Sequence, residues 1–401
     1  RIGGQTQYSH SVQNRGSGME EDMYLYRITP LGKFQNEDGT YPGLVGGDSQ
    51  MYNPLMNMVD GAVDRPLKNS RFLGSYFADI KLPVKGLTFR SNLGIDSRTE
   101  QNYEYFASAT TERQLGNSFA SNSVVKYTMM TWENYFSYNR DFNKKHSLGV
   151  TLLQSIQQDL QEDLSGKVQK LPSDILKYYD LASGLMIDGV GSDYIKWNMA
   201  SFMGRVNYGY MGRYLLTLSA RYDGSSRFPH NDKWAFFPSA SIGYRFSEEA
   251  YFAPLKKVIS NAKFRASYGE IGNEAIGNYM FEELISQREN TSATGYIYWV
   301  DGNGANANRL TQYNMPKLVS KSLTWERIRT TDIGLDLGFL NNELTVGFDW
   351  YQRENRDMLA PAQVLPNSVG ATAPYDNAGT LRTRGWELNL DWHHKFGEFN
   401  V

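Results

Sequence analysis

The residues able to do chemistry are few and poorly spaced for it. Five histidines stand at His10, His146, His230, His393 and His394. None has metal-ligand spacing with a carboxylate, and His393 and His394, adjacent on a strand, point to opposite faces. With no cysteine in the chain, thiolate ligation, disulfides and thiol chemistry are excluded. Glu20, Glu21 and Asp22 could supply paired carboxylates of the kind a glycosidase needs. Among 43 acidic residues, however, such a run carries almost no information. Asp301-Gly302-Asn303-Gly304-Ala305-Asn306 has the outline of a calcium loop, but Ala305 and Asn306 occupy positions that need a ligand and a glycine, so it reads as a turn. No Gly-x-Ser-x-Gly elbow, Walker loop or nucleotide fingerprint is present. The expectation is a protein that is not an enzyme and uses neither metal nor cofactor.

Composition narrows the class further. The 401 residues carry 41 Lys+Arg against 43 Asp+Glu, a formal net charge of −2, which offers no electrostatic footprint for nucleic acid. Mean hydropathy is −0.53, and no apolar run approaches the ~18 residues of a transmembrane helix. A transmembrane barrel is still allowed, because its strands alternate apolar and polar residues and average to polar. Aromatic residues make up 14% of the chain, with 27 Tyr, 20 Phe and 8 Trp. These are the amphipathic rings that line membrane interfaces.

The elements that must position any site follow a period of two. Leu87, Phe89, Leu93 and Ile95 alternate with polar neighbours, as do Leu216 and Leu218, Leu335 and Leu337, and Leu388 and Leu390. That is strand geometry with one apolar and one very polar face. The same pattern recurs at 148–156, 236–246, 264–268 and 344–350, and more weakly at 72–82, 123–142 and 199–210, giving about eleven strands. Connections alternate in length. Short ones lie at 83–86, 143–146, 211–213 and 341–343; long ones run over 98–122, 159–198, 269–324 and 353–381. Short turns at one end and long loops at the other are the outer-membrane barrel arrangement. Aromatics cluster where strands end, at Tyr214 and Tyr222, Tyr244 and Phe246, Trp350 and Tyr351, and Trp386 and Trp392, as interfacial girdles require. Residues 247–257 begin like a short capped helix, Ser247 being followed by two acids. The fold class expected is all-β, an antiparallel transmembrane barrel, with residues 1–71 as loop before the first clear strand and 72–401 as barrel. Neither end has the form of a natural terminus, and the chain reads as a fragment.

Several segments then stop being generic. Ala220-Arg221-Tyr222-Asp223-Gly224-Ser225-Ser226-Arg227-Phe228 is followed by Phe237-Pro238-Ser239-Ala240-Ser241-Ile242-Gly243-Tyr244-Arg245-Phe246. Next come Phe264-Arg265-Ala266-Ser267-Tyr268-Gly269, Gly272-Asn273 and Gly277-Asn278-Tyr279. Further on stand Leu323-Thr324-Trp325-Glu326, Gly334-Leu335-Asp336, Asp357-Met358-Leu359, Asn377-Ala378-Gly379 and Arg384-Gly385-Trp386-Glu387. In order and spacing this resembles the SusC/RagA family of TonB-dependent outer-membrane transporters. The resemblance implies a barrel of ~22 strands, of which this chain would hold about half, closed by a plug domain that is not in this chain. It also implies a SusD-like surface lipoprotein as lid, TonB as the energy source, and an oligosaccharide or peptide as solute. A siderophore- or cobalamin-type receptor without a lid is the alternative within the class, and a soluble carbohydrate-active β-protein the alternative outside it.

With that reading, solute contact falls to the long loops. Tyr296, Tyr298 and Trp299 lie among Asn and Gly residues in the longest loop, where exposed rings stack on sugar faces or peptide side chains. Asp223, Arg227 and Trp234 belong to a shorter loop at the mouth. Arg221, Arg245, Arg265 and Glu387 face the lumen, where they are expected to pair with a plug or touch solute. Gly334, Gly338 and Gly347 share that polar face.

Overall fold

A computed structural model describes residues 1–16, 31–46, 49, 51–283, 285–288, 312–314, 317–361, 365–396 and 399–400. Twelve strands carry the fold: β1 Ile2–Asn14, β2 Pro66–Lys81, β3 Leu87–Phe106, β4 Phe119–Phe142, β5 His146–Gln169, β6 Met186–Tyr210, β7 Tyr214–Ser225, β8 Trp234–Tyr244, β9 Ile259–Asn273, β10 Glu326–Phe339, β11 Leu344–Arg356 and β12 Leu381–Trp392. They are ordered β1 to β12 as in the sequence, and β1 with β2 and each neighbouring pair from β6 to β12 are antiparallel. This is the up-and-down pattern that short hairpins produce.

The short turns follow from local backbone demands. Met211 and Gly212 both take positive φ, at 53° and 66°, as do Asn341 and Asn342 at 56° and 67°. Left-handed pairs of this kind match the twist of tight hairpins. Gly86, at φ 88°, admits no side chain, since a Cβ there would lie 2.2 Å from the Asn139 carbonyl oxygen. Residues 246–257 form two short 3-10 helices, Phe246–Glu248 and Ala250–Lys257, neither with a side-chain cap, where the sequence predicts one capped short helix. Pro254 lies inside the second and cannot donate a helical hydrogen bond. Phe252 is buried against Phe246, ring centroids 5.4 Å apart. Tyr251 shares a 2.9 Å hydroxyl hydrogen bond with Tyr244, which pushes its phenol up to about 12.

Two expectations need correction. The loops expected over 98–122 and 159–198 are in large part strand, because β4 and β5 each run for 24 residues and β6 for 25. A crossing needs only about 9–11 residues. Past the membrane both faces of a strand are wet, so alternation stops while hydrogen bonding continues. Gln157, Gln158, Asp159, Gln161, Glu162 and Asp163, all in β5, carry no apolar face to read. For the same reason Ile2–Asn14, in the region read as loop, is a strand: it pairs with β2 from Ile2↔Ala78 to Asn14↔Pro66 and is polar almost throughout.

The chain divides into two compact units, one of residues 1–78, 92–132 and 157–196, the other of 79–91, 133–156 and 197–401. In the first, Tyr105, Ala120, Val168, Leu171 and Tyr178 form a buried cluster. The Tyr105 hydroxyl donates to Asp174, and Lys177 sits 3.0 Å from Asp64. In the second, cross-strand rows run Leu216, Ile242, Ala266, Ile333, Trp350, Trp386. The face bearing these rows is apolar yet uncovered: Ile242 is 53% exposed, Leu388 51% and Leu390 66%. A contiguous exposed apolar face of that kind marks a surface made to meet lipid or another protein. At its short-turn edge Tyr214 stacks on Tyr244 at 5.0 Å. At the opposite edge Tyr222 stacks on Trp234 at 4.9 Å.

Candidate functional site

The second unit carries a polar cluster above the membrane band, built by the loop ends of β6 to β9. Asp223 is buried, and its two carboxylate oxygens share the single N–H of Arg221 Nε, at 2.7 and 2.8 Å. Arg221 also donates through Nη2 to Ser201 Oγ at 3.0 Å. Ser225 Oγ accepts from Trp197 Nε1 at 3.1 Å and from the Arg227 backbone N–H at 3.2 Å. The Arg227 guanidinium lies over the Trp197 ring, 4.7 Å from its centroid, and donates to Asn278 Oδ1 and to the Glu274 carbonyl, each at 3.2 Å. The contacts of Arg221 with Ser201, of Trp197 with Ser225 and of Arg227 with Trp197, Asn278 and Glu274 join one loop end to another. Arg227 therefore works as a clamp between elements, and Asp223 holds the Arg221 that bridges to Ser201.

The same loop ends also build an apolar knot. Phe228, Ala235, Phe237, Ile276, Leu323 and Trp325 are all buried together. The Trp325 indole donates to the Lys233 carbonyl at 2.8 Å. Asn377 ties the next loop in, with Nδ2 donating to the carbonyls of Thr324 and Asp357 at 2.8 and 2.9 Å, while its Oδ1 accepts from the Thr324 N–H at 2.8 Å. Five of the quoted sequence segments thus meet in one place, which explains their spacing: they position the loops.

Trp234 goes elsewhere. It pairs across the hairpin with Gly224, and Tyr222 pairs with Phe236, so Trp234, Tyr222 and Phe236 share a face that Asp223 does not. Gly224 leaves room for the ring, since a Cβ there would meet it at 2.5 Å. The structure thus brings Asp223 and Arg227 into one cluster and puts Trp234 on the lipid-facing girdle. Tyr296, Tyr298 and Trp299 lie outside the described residues.

Glu274 has chemistry that spacing could not reveal. It sits 3.8 Å from Arg227, yet its Oε2 is buried without a hydrogen-bond partner. Burial outweighs the guanidinium and pushes its carboxyl above the usual range. A raised folded-state pKa stabilises the fold most below the unfolded-state value, and that contribution is lost as pH rises through the folded value. Glu274→Gln should therefore flatten the acid side of the stability profile, and gain on the wild type as pH rises through this window. Melting curves of the two proteins across that range check this, and parallel curves would mean that the carboxyl titrates normally.

The inward face below the cluster forms a cavity of about 630 Å³, lined by Arg205, Arg221, Asp223, Glu274 and Trp325 among others. Lower on the wall Arg265 is held by aspartates of the same sheet. It donates to Asp349 at 2.6 Å and to Asp336 at 3.2 Å, with Asp332 3.5 Å away. Gly334 makes this possible, because a Cβ there would strike the guanidinium at 2.6 Å. Arg265 and Arg221 each find an acid within the barrel wall itself, at Asp349 and Asp223, and Arg245 finds Glu248 in the 3-10 helix that follows β8. Only the register could show this, since the aspartates lie some seventy to eighty residues away in sequence from Arg265.

Residues 19–401 match the family described as TonB dependent receptor-like, beta-barrel. The chain belongs to this family. Members are outer-membrane β-barrels, and the uncovered apolar face is the part of this barrel wall that meets the outer-membrane lipid. The family is one of receptors and transporters, and the soluble carbohydrate-active alternative falls with it. The chain is 29% identical over 388 residues to TonB-dependent receptor P3 of Formosa agariphila, covering 96% of this chain and 36% of that receptor. Over 196 residues it is 30% identical to TonB-dependent receptor SusC of Bacteroides thetaiotaomicron, covering 48% of this chain and 18% of SusC. Its fold superimposes on the structure of the RagAB peptide transporter with a TM-score of 0.76 at 20% identity, over 98% of this chain and 43% of the other. The fold is thus shared with the RagAB transporter, and the chain spans about a third of the curated receptor it matches over most of its length.

Proposed function

We propose that the protein containing this chain imports an oligomeric nutrient, an oligosaccharide or a peptide, across the outer membrane. Membership of the TonB-dependent receptor-like barrel family over residues 19–401 carries this reading. A SusD-like surface lipoprotein would close over the long loops, and TonB would supply the energy by displacing a plug held within the barrel. Residues 72–401 supply wall and loops, and residues 1–71 supply an outer loop region together with the strand that precedes it. The chain performs no covalent chemistry. Asp223 and Arg227 support the solute site indirectly, by fixing the loop ends above the cavity. Direct contact belongs to Tyr296, Tyr298 and Trp299, whose rings suit either sugar faces or peptide side chains.

The test uses the full-length receptor with its lipoprotein in proteoliposomes or cells. Labelled oligosaccharide and peptide mixtures are offered, and lid binding and solute binding are measured separately. Trp299→Ala should lower solute affinity about 10-fold or more, as loss of a buried aromatic anchor does, while leaving the lid bound. Loss of the lid with unchanged solute affinity would assign Trp299 to the protein interface instead. Failure to take up either class of oligomer would overturn the import reading.

A further inference from the structure

β6 outruns its neighbour. It pairs with β7 from Tyr210↔Tyr214 to Met199↔Ser225, where β7 ends, yet it continues as strand to Met186. On its other side β5 stays alongside. There the Leu185 N–H donates to the Lys170 carbonyl at 3.2 Å, and the Gly191 carbonyl accepts from Ser165 Oγ at 3.5 Å. Successive residues of a strand direct their N–H and C=O to opposite sides. Odd-numbered residues therefore serve β5. Even-numbered ones serve the β7 side, as the Asn198 carbonyl does in accepting from the Ser226 N–H at 2.9 Å. Met186, Asp188, Val190, Ser192 and Tyr194 thus aim both backbone groups away from β5, and among the described residues no strand meets them.

The Tyr194 N–H bears this out, since Asp193 Oδ1 accepts it at 2.8 Å. A side chain satisfies a main-chain donor where the ladder supplies no partner. Gly189 has open space at its Cβ position, with nothing within 4 Å, so no neighbouring side chain crowds the edge there. Beside it Ile187 and Val190 are each 77% exposed. A long exposed edge is a template for another strand, and proteins blunt such edges with proline, lysine or a cover. From Met186 to Tyr194 there is neither proline nor lysine. The local charge is acidic instead. Asp188 and Asp193 lie on the edge and Asp163 and Lys167 on β5, while Glu162 is paired with Lys126 at 3.7 Å.

We propose that this edge captures solute peptides in extended form, adding them as a further strand beside β6, with a preference for basic side chains. Outward N–H and C=O groups repeat about every 7 Å along the strand, and a polypeptide strand offers matching donors and acceptors at that spacing. Sugar hydroxyls hold no such alternation, so the edge selects peptide from the two oligomer classes. Main-chain pairing gives affinity with little demand on sequence, which suits a mixed pool of nutrients, while Val190 and Ile187 offer apolar contact on opposite faces. The inference rests on the import reading for the source of the peptide.

The full-length receptor in detergent micelles is offered the heptapeptide Lys-Val-Thr-Val-Thr-Val-Lys, the same peptide N-methylated at every amide, or maltoheptaose. Residue-resolved hydrogen exchange reads the strand. Without ligand, the amides of Asp188, Val190 and Ser192 should exchange fast and those of Gly189, Gly191 and Asp193 slowly. The heptapeptide should slow the first set about ten-fold or more, and the methylated peptide and maltoheptaose should not. Glutamate in place of both lysines should weaken the protection. Val190→Pro removes one outward N–H and no bond to β5, so it should weaken heptapeptide binding about ten-fold while the odd-numbered amides stay slow. Val190→Thr, which keeps the N–H, should weaken it less. If the proline variant folds poorly, the methylated peptide still tests the edge in the wild type. Outward amides already slow without ligand would show that the chain covers its own edge and would overturn the proposal. So would equal protection by maltoheptaose or the methylated peptide, or protection that comes only from a co-purified lipoprotein. Uptake of peptides without edge protection overturns this proposal alone; edge protection without uptake of any oligomer overturns the import reading alone.

Discussion

Leu218→Arg and Leu388→Arg should each destabilise the barrel by about 2–4 kcal/mol, the cost of a cation near the midplane of a lipid-facing strand. Leu218 pairs with Val206 on one side and Ala240 on the other, and Leu388 with Phe348. All are apolar, and among the described residues neither leucine is paired across the sheet with a polar side chain that could receive the charge. A guanidinium there must be desolvated or must drag water and headgroups inward. One residue away the result reverses. Asn389 lies on the inward face opposite Gly347, in water, so Asn389→Arg should cost less than about 1 kcal/mol, as most surface substitutions do. Thr217 is the better inward control for Leu218, because Ser219 stands opposite Arg205 and would add a like-charge contact. Folding titrations of the full-length protein into lipid vesicles measure the difference. Equal sensitivity on the two faces would show that neither meets lipid.

Period two made most of the wall legible. The apolar residues of β7 to β12 fall on one face because strand geometry puts them there, and the short turns are marked by residues that tolerate positive φ. What escaped was whatever lies beyond the membrane. β5 runs on through Gln157, Gln158 and Asp159, where water on both sides removes the selective pressure for alternation and the sequence looks like loop. The candidate site was half legible for a related reason. Asp223, Arg227 and Trp234 are close in sequence, but proximity along a chain says nothing about face. The hairpin register pairs Gly224 with Trp234, and that one-residue offset sends the tryptophan to lipid while Asp223 turns inward. Glu270 and Glu354 passed unnoticed among many acids, because only cross-strand pairing reveals that each lies between arginines.

Trp325→Ala should unlock the mouth without opening the barrel. Trp325 is 2% exposed and packs on Phe228 and Phe237, ring centroids at 5.2 and 5.6 Å. Removing the ring should cost about 3–5 kcal/mol in lost burial and cavity. A further 0.5–1.5 kcal/mol, roughly, goes with the indole hydrogen bond to Lys233. That loss falls on a small knot rather than on the wall, whose ladders run on from Glu326 without it. Local opening of the loops should therefore precede any change in the strands. In hydrogen exchange, amides of residues 226–233 and 274–283 should lose protection together with those of 323–325, while β10 and β11 stay protected. Trp325→Phe separates the two contributions: it keeps most of the buried surface, loses the N–H donor, and should show only a small part of the effect. If Trp325→Ala leaves the loops protected, the knot does not hold the mouth, and the contacts of Arg221 and Arg227 hold it instead. If it melts the strands as well, the loops and the wall form one cooperative unit, and the cavity beneath them cannot open without the barrel.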